Sequence, residues 1–373
     1  MAPAANKKFR VLVVDDSPFM CKVLETIFNA DDQLQVAGRA KDGREAVALA
    51  ESLKPDVITM DINMPHMDGL QATAQIMTTN PRPIVIVSSD SREGAASTLK
   101  ALELGAIEFV AKPSSGIDLD MQNVKEELLR KVRMAAKVRV VRTASRLAMT
   151  LQGASGGSAP TKPAPRPAPA IPADQRFPVV VLGASTGGPA TVMRLAPGFT
   201  REFPAAVFLV QHMPAAFTTQ YAAQLAEFTS IRVKEAESGE AVQPGTLYIC
   251  PGAQHLRVTP SGRIQLDATS GRINGYLPNI DITMETVAAY AGAMSIGVVL
   301  TGMGNDGANG AKAIKSAGGL VLAQDEATSV IFGMPAEAIK VAGIEQVLPI
   351  DDIYSAIEKR VIGLCKAAPV GVK

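Results

Sequence analysis

The stretch VVVLGASTGGPA, residues 179–190, joins a short apolar run to a glycine-rich turn. The apolar run is typical of a buried strand, and the small residues that follow allow a sharp turn into a helix. Such a turn suits either a phosphate-binding loop or the mount of a reactive serine. The dinucleotide pattern G-x-G-x-x-G fails because Ser185 stands at its second glycine, and no lysine follows as in a P-loop. The spacing Gly183-x-Ser185-x-Gly187 instead matches a nucleophile elbow, a weak signal when taken alone.

A serine nucleophile needs a base and a group that orients the base. His212 follows the apolar run AAVFLVQ, and Asp306 follows SIGVVLTGMGN. Because both come after strand-like runs, we expect them on the same sheet edge as Ser185. Their order along the chain differs from that of α/β-hydrolases, but geometry rather than order defines a triad.

Two other residues compete for these roles. His255 begins the predicted β-hairpin HLRVTPSGRIQL, where a surface histidine is unremarkable. Asp281 is the alternative to Asp306, and a helix N-terminal cap is its simpler explanation. We favour His212 as base and Asp306 as its partner.

Composition restricts the class of protein. The chain has 373 residues, 47% hydrophobic and 20% charged, with a net charge of +1. These values indicate a globular protein of two or three domains and give no electrostatic case for binding nucleic acid or membranes. The N-terminus lacks a signal-peptide core, and no apolar segment is long enough to span a bilayer. Three widely spaced cysteines (Cys21, Cys250 and Cys365) fit buried thiols in a cytoplasmic protein.

Two α/β bodies are predicted on either side of a Pro/Ala-rich segment that starts at about residue 153. Five continuous apolar runs before it predict a five-stranded doubly wound domain over residues 9–130. Residues 131–175 are expected to be a linker. The later runs predict an α/β domain over residues 176–368, with a mainly parallel sheet and a small antiparallel hairpin. The basic stretch 130–146 favours a solvated helix face, with contact to an acidic partner as the alternative.

Polar residues end four of the five expected N-terminal strands: Asp15 and Asp16, Asp61, Ser88, and Lys112. Any one of them could simply be a cap or loop residue, but the ordered set is hard to explain that way. Parallel strand ends converge, so the crowded carboxylates call for a hard cation such as Mg²⁺. Asp61 could then attack a phosphoryl group, with Lys112 and Ser88 contacting the new phosphate.

This ordered set resembles the receiver domain of two-component response regulators. The resemblance implies that Asp61 is the phospho-acceptor and that a histidine kinase is the phosphodonor. It implies phosphate-sensing roles for Ser88, Lys112 and the aromatic switch residue Phe109. It also implies a cis Lys112–Pro113 bond. His66 falls in the loop after Asp61, where we expect a solvated histidine rather than a ligand. The implied Mg²⁺ ligands are Asp15, Asp16, Asp61 and the backbone carbonyl of Asn63.

The motifs GASTGGP, QHMP and LTGMGNDGA resemble those of the chemotaxis protein-glutamate methylesterases of bacteria, the CheB family. The resemblance implies Ser185 as nucleophile, His212 as general base and Asp306 as its orienter. Thr186 and Met303 would line the site, with the Met303 backbone N–H as an oxyanion donor. Position 279 carries Asn where the resemblance leads us to expect Ser.

The expected function is that of a phosphorylation-activated hydrolase acting on methyl-accepting chemoreceptors. It would cleave glutamate γ-methyl esters and deamidate glutamines, needing Mg²⁺ for phosphorylation and no cofactor for ester hydrolysis. Without phosphate, the receiver domain is expected to cover the triad. A non-enzymatic adaptor is the competing class. A transcriptional regulator is disfavoured because the second half shows a sheet pattern rather than a helix-turn-helix.

Overall fold

The computed structural model describes residues 8–88, 92–112, 118–138 and 177–367. These residues fall into two compact units, divided between residues 162 and 163. Most of the predicted linker lies outside the described residues, so the domain bounds 9–130, 131–175 and 176–368 remain predictions. Within the described ranges, no helix has the length and apolar character to cross a membrane.

The first unit is built on a five-stranded parallel sheet with the order β2-β1-β3-β4-β5. Its strands are β1 (Phe9–Val14), β2 (Leu34–Ala40), β3 (Val57–Met60), β4 (Ile84–Ser88) and β5 (Glu108–Ala111). This confirms the predicted doubly wound fold. The strand order reverses between β1 and β3. The loops that follow these two strands therefore lead in opposite directions and leave a crevice at the carboxyl ends of the strands.

Helices cover both faces of this sheet: α1 (Pro18–Asn29), α2 (Gly43–Leu53), α3 (Gly69–Thr79), α4 (Arg92–Glu103) and α5 (Asp118–Ala135). Helix α5 runs into the basic stretch, where the expectation of a solvated face is wrong for Lys131. That side chain is buried, and its Nζ donates to the Phe109 carbonyl at 2.7 Å. It lies 2.9 Å from a carboxylate oxygen of Glu127 and 3.4 Å from one of Glu108.

The second unit contains a seven-stranded sheet with the order β14-β13-β12-β6-β7-β9-β8, and every pair in it is parallel. Its strands are β6 (Val179–Ala184), β7 (Ala206–Gln211), β8 (Arg232–Glu235), β9 (Thr246–Ile249), β12 (Ser295–Val299), β13 (Leu320–Gln324) and β14 (Gln346–Leu348). The predicted hairpin is present as the antiparallel pair β10 (His255–Val258) and β11 (Ile264–Asp267).

Among residues 177–367, the helices that flank this sheet are α6 (Gly188–Leu195), α7 (Ala215–Phe228), α8 (Ile280–Ala291), α9 (Ala308–Ser316), α10 (Met334–Ala342) and α11 (Ile350–Ala367). Strands β6 and β7 are buried along their whole length, which explains why they read as continuous apolar runs. The strand after β6 along the chain lies on one side of it, and the much later β12 lies on the other. The loops after β6, β7 and β12 therefore meet at a topological switch point.

Candidate functional site

Ser185 stands in the turn that joins β6 to α6. Gly187 has a φ of +75°, a left-handed conformation that favours glycine. A Cβ on Gly187 would also lie 2.6 Å from the side chain of Val330, so the turn has no room for a larger residue. The amide of Gly188 donates to the Ser185 carbonyl at 2.8 Å, closing the turn. The predicted strand–turn–helix is thus present around Ser185.

Buried polar residues that the sequence motifs do not identify hold this turn in place. Ser185 N donates to the Thr301 carbonyl at 3.0 Å, and Thr301 Oγ1 donates to the Thr186 carbonyl at 3.0 Å. Thr301 N in turn donates to Gln324 Oε1 at 2.8 Å. Thr301 and Gln324 are fully buried. A polar residue at the end of an apolar run, as in VVLT and VLAQ, is the signal that could have identified them.

His212 leaves the sheet beside Ser185. The last registered pair of β6 and β7 is Ala184 with Gln211, and His212 N donates to the Ala184 carbonyl at 3.0 Å. The side-chain amide of Gln211 donates to the Ser185 carbonyl at 2.9 Å and to the His212 carbonyl at 3.3 Å. One buried glutamine therefore ties together the backbones of both predicted catalytic residues.

Asp306 lies against the imidazole of His212. Its Oδ2 is 2.7 Å from His212 Nε2, and the carboxylate is fully buried. The amides of Ile280, Asp281 and Gly307 donate to its two oxygens at 2.8–3.0 Å. Two of these amides open helix α8, whose dipole also favours a carboxylate at this end. Both oxygens are therefore fixed, and Asp306 holds the Nε2 edge of the His212 ring.

The competing residues have other partners. Asp281 Oδ1 accepts from Gly310 N at 2.7 Å in the first turn of α9, so its capping role serves a neighbouring helix. Burial raises the pKa of Asp281. The residue that caps α8 is Asn279, which accepts from Ile282 N at 2.9 Å.

The expectation that His255 is a surface histidine is wrong. It begins β10 as predicted but is fully buried, with its Nε2 2.8 Å from the carbonyl of Gly271. The β10–β11 hairpin packs its apolar residues into the core of the second unit, and His255 goes inward with them.

The remaining predicted site residues lie around the serine. Thr186 is buried, and Met303 is 37% exposed in the turn before Asp306. That turn touches the nucleophile elbow, since a Cβ on Gly302 would lie 2.7 Å from Ser185 Cβ. Among the described residues, no hydrogen bond joins Ser185 Oγ to His212.

Tyr276 also lies against His212, a contact that the sequence motifs do not predict. Its ring stacks on the imidazole, with centroids 4.8 Å apart and planes 18° from parallel. It belongs to the loop between β11 and α8, which carries no apolar periodicity. The adjacent Asn274-Gly275, a strong signal for a tight two-residue turn, could have drawn attention to it.

In the first unit, Asp15, Asp16 and Asp61 bring carboxylate oxygens within 4.8 Å of one another. Lys112 Nζ lies 2.9 Å from Asp15 Oδ2 and 2.9 Å from Asp61 Oδ2. Burial raises the pKa of Asp61, although Lys112 lowers it in part. Burial alone would lower the pKa of Lys112, but its bonds to Asp61 and Asp15 outweigh this and raise it.

These residues fit a magnesium ion. The ligands are hard carboxylate oxygens, and a single ammonium cannot neutralise three carboxylates. Asp15 and Asp61 are buried, whereas Asp16 is exposed, so one side of the cluster is open to water. Asn63 is exposed in the loop that follows β3, next to Asp61.

The other predicted receiver residues lie at the neighbouring strand ends. Ser88 is buried and its Oγ is 3.5 Å from the Gly94 carbonyl, while its own carbonyl accepts from Lys112 N at 2.7 Å. Phe109 is buried, with Lys131 Nζ 5.0 Å from its ring centroid. His66 is exposed, as expected. Pro113 lies outside the described residues, so the cis bond stays a prediction.

Comparison with known proteins matches each of the two units to a family. The CheB methylesterase family matches residues 180–357, and the response regulator receiver domain matches residues 11–122. The chain is 42% identical over 361 residues to the protein-glutamate methylesterase/protein-glutamine glutaminase of Pyrococcus horikoshii, covering 96% of this chain and 95% of that protein.

The protein of the same name from Symbiobacterium thermophilum is 39% identical over 370 residues, with 97% of this chain and 99% of that protein covered. The crystal structure of the Thermotoga maritima CheB methylesterase catalytic domain is 39% identical and has a TM-score of 0.48. It covers 50% of this chain and 99% of its own. The two family matches and the full-length relatives confirm the resemblance stated from the motifs: the chain belongs to the CheB family of protein-glutamate methylesterases/protein-glutamine glutaminases, hydrolases that here carry a response-regulator receiver domain.

Proposed function

We propose that this enzyme hydrolyses glutamate γ-methyl esters on chemoreceptors through Ser185, His212 and Asp306, under the control of phosphorylation at Asp61. The observation that carries the proposal is the 2.7 Å contact between His212 Nε2 and Asp306 Oδ2 beside the elbow that holds Ser185. An adaptor without catalytic activity would have no need of a buried carboxylate fixed on a histidine at this position.

The hydrogen-bond pattern suggests the path of the proton. A carboxylate only accepts hydrogen bonds, so His212 Nε2 carries the hydrogen and Nδ1 has a lone pair for the Ser185 proton. Ser185 Oγ then attacks the ester carbonyl to give a tetrahedral intermediate. The proton passes from His212 to the departing methanol, which leaves an acyl-enzyme. Water, activated by the same nitrogen, releases the glutamate carboxylate and restores Ser185. With a glutamine side chain the same steps would release ammonia.

The missing hydrogen bond between Ser185 and His212 is compatible with this scheme. Catalytic hydrogen bonds are often long before substrate binds and tighten in the complex. The negative charge of the intermediate needs donors near Ser185. We assign this role to the backbone N–H groups of Met303 and of Thr186, the residue that follows the nucleophile. Both residues belong to turns that touch at Gly302 and Ser185.

In the first unit, the Asp61 carboxylate would attack the phosphoryl group of a histidine kinase. Asp15, Asp16, Asp61 and the carbonyl of Asn63 would hold Mg²⁺, which supplies charge neutralisation for phosphoryl transfer when bound. Lys112 already contacts Asp61 and would remain paired with the phosphoryl oxygens. Ser88 and Phe109 would respond to the new group.

Mass spectrometry of peptides from methylated chemoreceptors tests the catalytic assignment, using the full chain with a small phosphodonor and Mg²⁺. Demethylation should fall by about 10³-fold or more in Ser185→Ala and in His212→Gln, because triad members act as a unit. His255→Gln is the matched control and should keep most of the activity, since that histidine bonds to Gly271 instead. Near-wild-type demethylation by Ser185→Ala would contradict the triad. So would a folded His255→Gln variant that is inactive while His212→Gln stays active.

A further inference from the structure

One face of the His212 imidazole is covered by an aromatic ring. Tyr276 stacks on it at 4.8 Å between centroids, and the ring is half-buried. Asp306 contacts the imidazole at its edge, through Nε2. An edge contact still allows the ring to tilt about the hydrogen bond, whereas a stacked neighbour opposes the tilt. The two contacts together define both the position and the plane of His212.

Tyr276 is itself held firmly in place. The amides and carbonyls of Ile273 and Tyr276 exchange two hydrogen bonds of 3.0 Å, so residues 273–276 form a tight hairpin. Asn274 and Gly275 both have positive φ, 53° and 88°, as a type I′ turn requires. Asn279 Nδ2 donates to the Ile273 carbonyl at 3.2 Å and thereby fastens this hairpin to the start of α8.

The same short segment also fixes Asp306. The amide of Ile280, four residues after Tyr276, donates to Asp306 Oδ2, the oxygen that contacts His212. At the other end of the tyrosine, the hydroxyl lies 3.4 Å from the side-chain oxygen and the amide of Asn305, the residue before Asp306. Residues 276–280 therefore link the ring above His212 to the carboxylate beside it.

We propose that Tyr276 is a positioning residue that acts through His212. Its ring holds the imidazole in the plane from which Nδ1 can receive the Ser185 proton. Its negative π face also favours the imidazolium that forms when the proton is transferred. Both effects belong to the chemical step rather than to substrate binding, so they should appear in kcat. This inference rests on the proposed function, because it requires that His212 be the base.

Substitutions at Tyr276 separate the ring from the hydroxyl. Tyr276→Leu removes the stacked ring and should lower kcat for methanol release about tenfold or more, or about 1.4 kcal/mol in the barrier. The KM for receptor should change less than about twofold. Tyr276→Phe keeps the ring and loses only the long contacts to Asn305, so it should retain kcat within about threefold. Tyr290→Leu, which removes a half-buried ring from α8 in the same unit, is the matched control and should leave kcat unchanged.

A second readout avoids the receptor. Labelling of Ser185 by a small fluorophosphonate depends on activation of the serine but hardly on a receptor site. Tyr276→Leu should slow this labelling by a factor similar to its loss in kcat, while Tyr276→Phe should not. Wild-type kcat in Tyr276→Leu, a loss confined to KM, or unchanged labelling would overturn the inference. A melting temperature equal to that of Tyr290→Leu excludes unfolding as the cause.

Including Ser185→Ala in both assays distinguishes the two levels of the account. If Ser185→Ala is inactive and unlabelled while Tyr276→Leu behaves as wild type, the inference on Tyr276 fails and the proposed function stands. If Ser185→Ala keeps its activity, the proposed function itself fails.

Discussion

At the scale of single residues, two buried carboxylates at the carboxyl ends of strands, Asp306 and Asp61, have different surroundings. Asp306 is fully satisfied, since three amides and His212 Nε2 surround its oxygens. Among the residues that the structure describes, Asp61 accepts from one amide, Ile62 N, and shares Lys112 with Asp15. A carboxylate whose oxygens all accept hydrogen bonds can hold its neighbour in one orientation. A carboxylate close to two others favours the binding of a cation and has an oxygen available for a phosphoryl group. The two environments suit the two roles proposed for them.

The crowding at Asp61 leads to a prediction about stability. Burial raises the pKa of Asp61 above its ordinary 3.8, so the folded state keeps this proton to a higher pH than the unfolded chain. The associated stability is present below about pH 3.8 and is lost as pH rises through the folded-state pKa. Relative to wild type without Mg²⁺, Asp61→Asn should therefore gain melting temperature as pH rises from about 4 to 7. Calorimetry over this range measures the difference.

Lys112 stays paired with Asp15 in this variant, so the change leaves no isolated ammonium. Mg²⁺ should raise the melting temperature of the wild-type receiver by mass action and that of Asp61→Asn much less. Asp32→Asn, at an exposed position, serves as control and should respond as wild type. A less stable Asp61→Asn at pH 7, or equal stabilisation of both proteins by Mg²⁺, would argue against this description of the cluster.

The sequence is sufficient to identify residues that have a reactive or ionisable side chain and stand directly after an apolar run. Ser185, His212 and Asp306 each follow an apolar run, so the convergence of strand ends was enough to group them. Tyr276, Gln211 and Thr301 escaped because their roles depend on contacts between loops and strands far apart in sequence. The sequence predicts the strand that His255 begins but not the burial of its side chain, because alternation in a short hairpin does not show which face is buried.

At the scale of elements, the parallel strands were predictable because burial on both faces leaves continuous apolar runs. Strand β14 was missed: Gln346, Val347 and Leu348 form three residues of a partly exposed edge, too few to show a pattern. The sequence does not predict that the N-termini of α8 and α9 contact each other. Asp306, just before α9, accepts from the first amides of α8, and Asp281 in α8 accepts from Gly310 N in α9. Each helix thus receives a carboxylate from a residue in, or just before, the other helix.

Asn279 tests how much this junction depends on its cap. Asn279→Ala loses the bonds to Ile282 N and to the Ile273 carbonyl and should cost about 1–2 kcal/mol of unfolding free energy. Asn279→Ser, which restores the residue expected from the family resemblance, keeps an acceptor for Ile282 N and should cost clearly less. Calorimetry of the second unit compares the two variants. Equal losses would show that the cap to Ile282 contributes little.

At the scale of the whole molecule, every residue of the proposed triad belongs to the second unit, so that unit should hold a complete catalytic site. The receiver is joined to it by a segment whose Pro/Ala-rich sequence predicts a semi-extended linker. We propose that such a linker gives the receiver an effective concentration of up to about a millimolar around the second unit. Weak docking would then be enough to cover the site. Phosphorylation of Asp61 would then need to weaken the free energy of docking by only a few kcal/mol to uncover the site.

Methanol release from methylated chemoreceptors, measured with and without a small phosphodonor and Mg²⁺, tests this central claim most directly. Three proteins are compared: the full chain, the full chain with Ser185→Ala, and a fragment of residues 177–373 that melts cooperatively. The account predicts that the phosphodonor activates the full chain and leaves the fragment, already more active than the unphosphorylated full chain, unchanged. It predicts no significant release by Ser185→Ala under either condition. A folded but inactive fragment would contradict relief of inhibition, and an active Ser185→Ala would contradict the catalytic site itself.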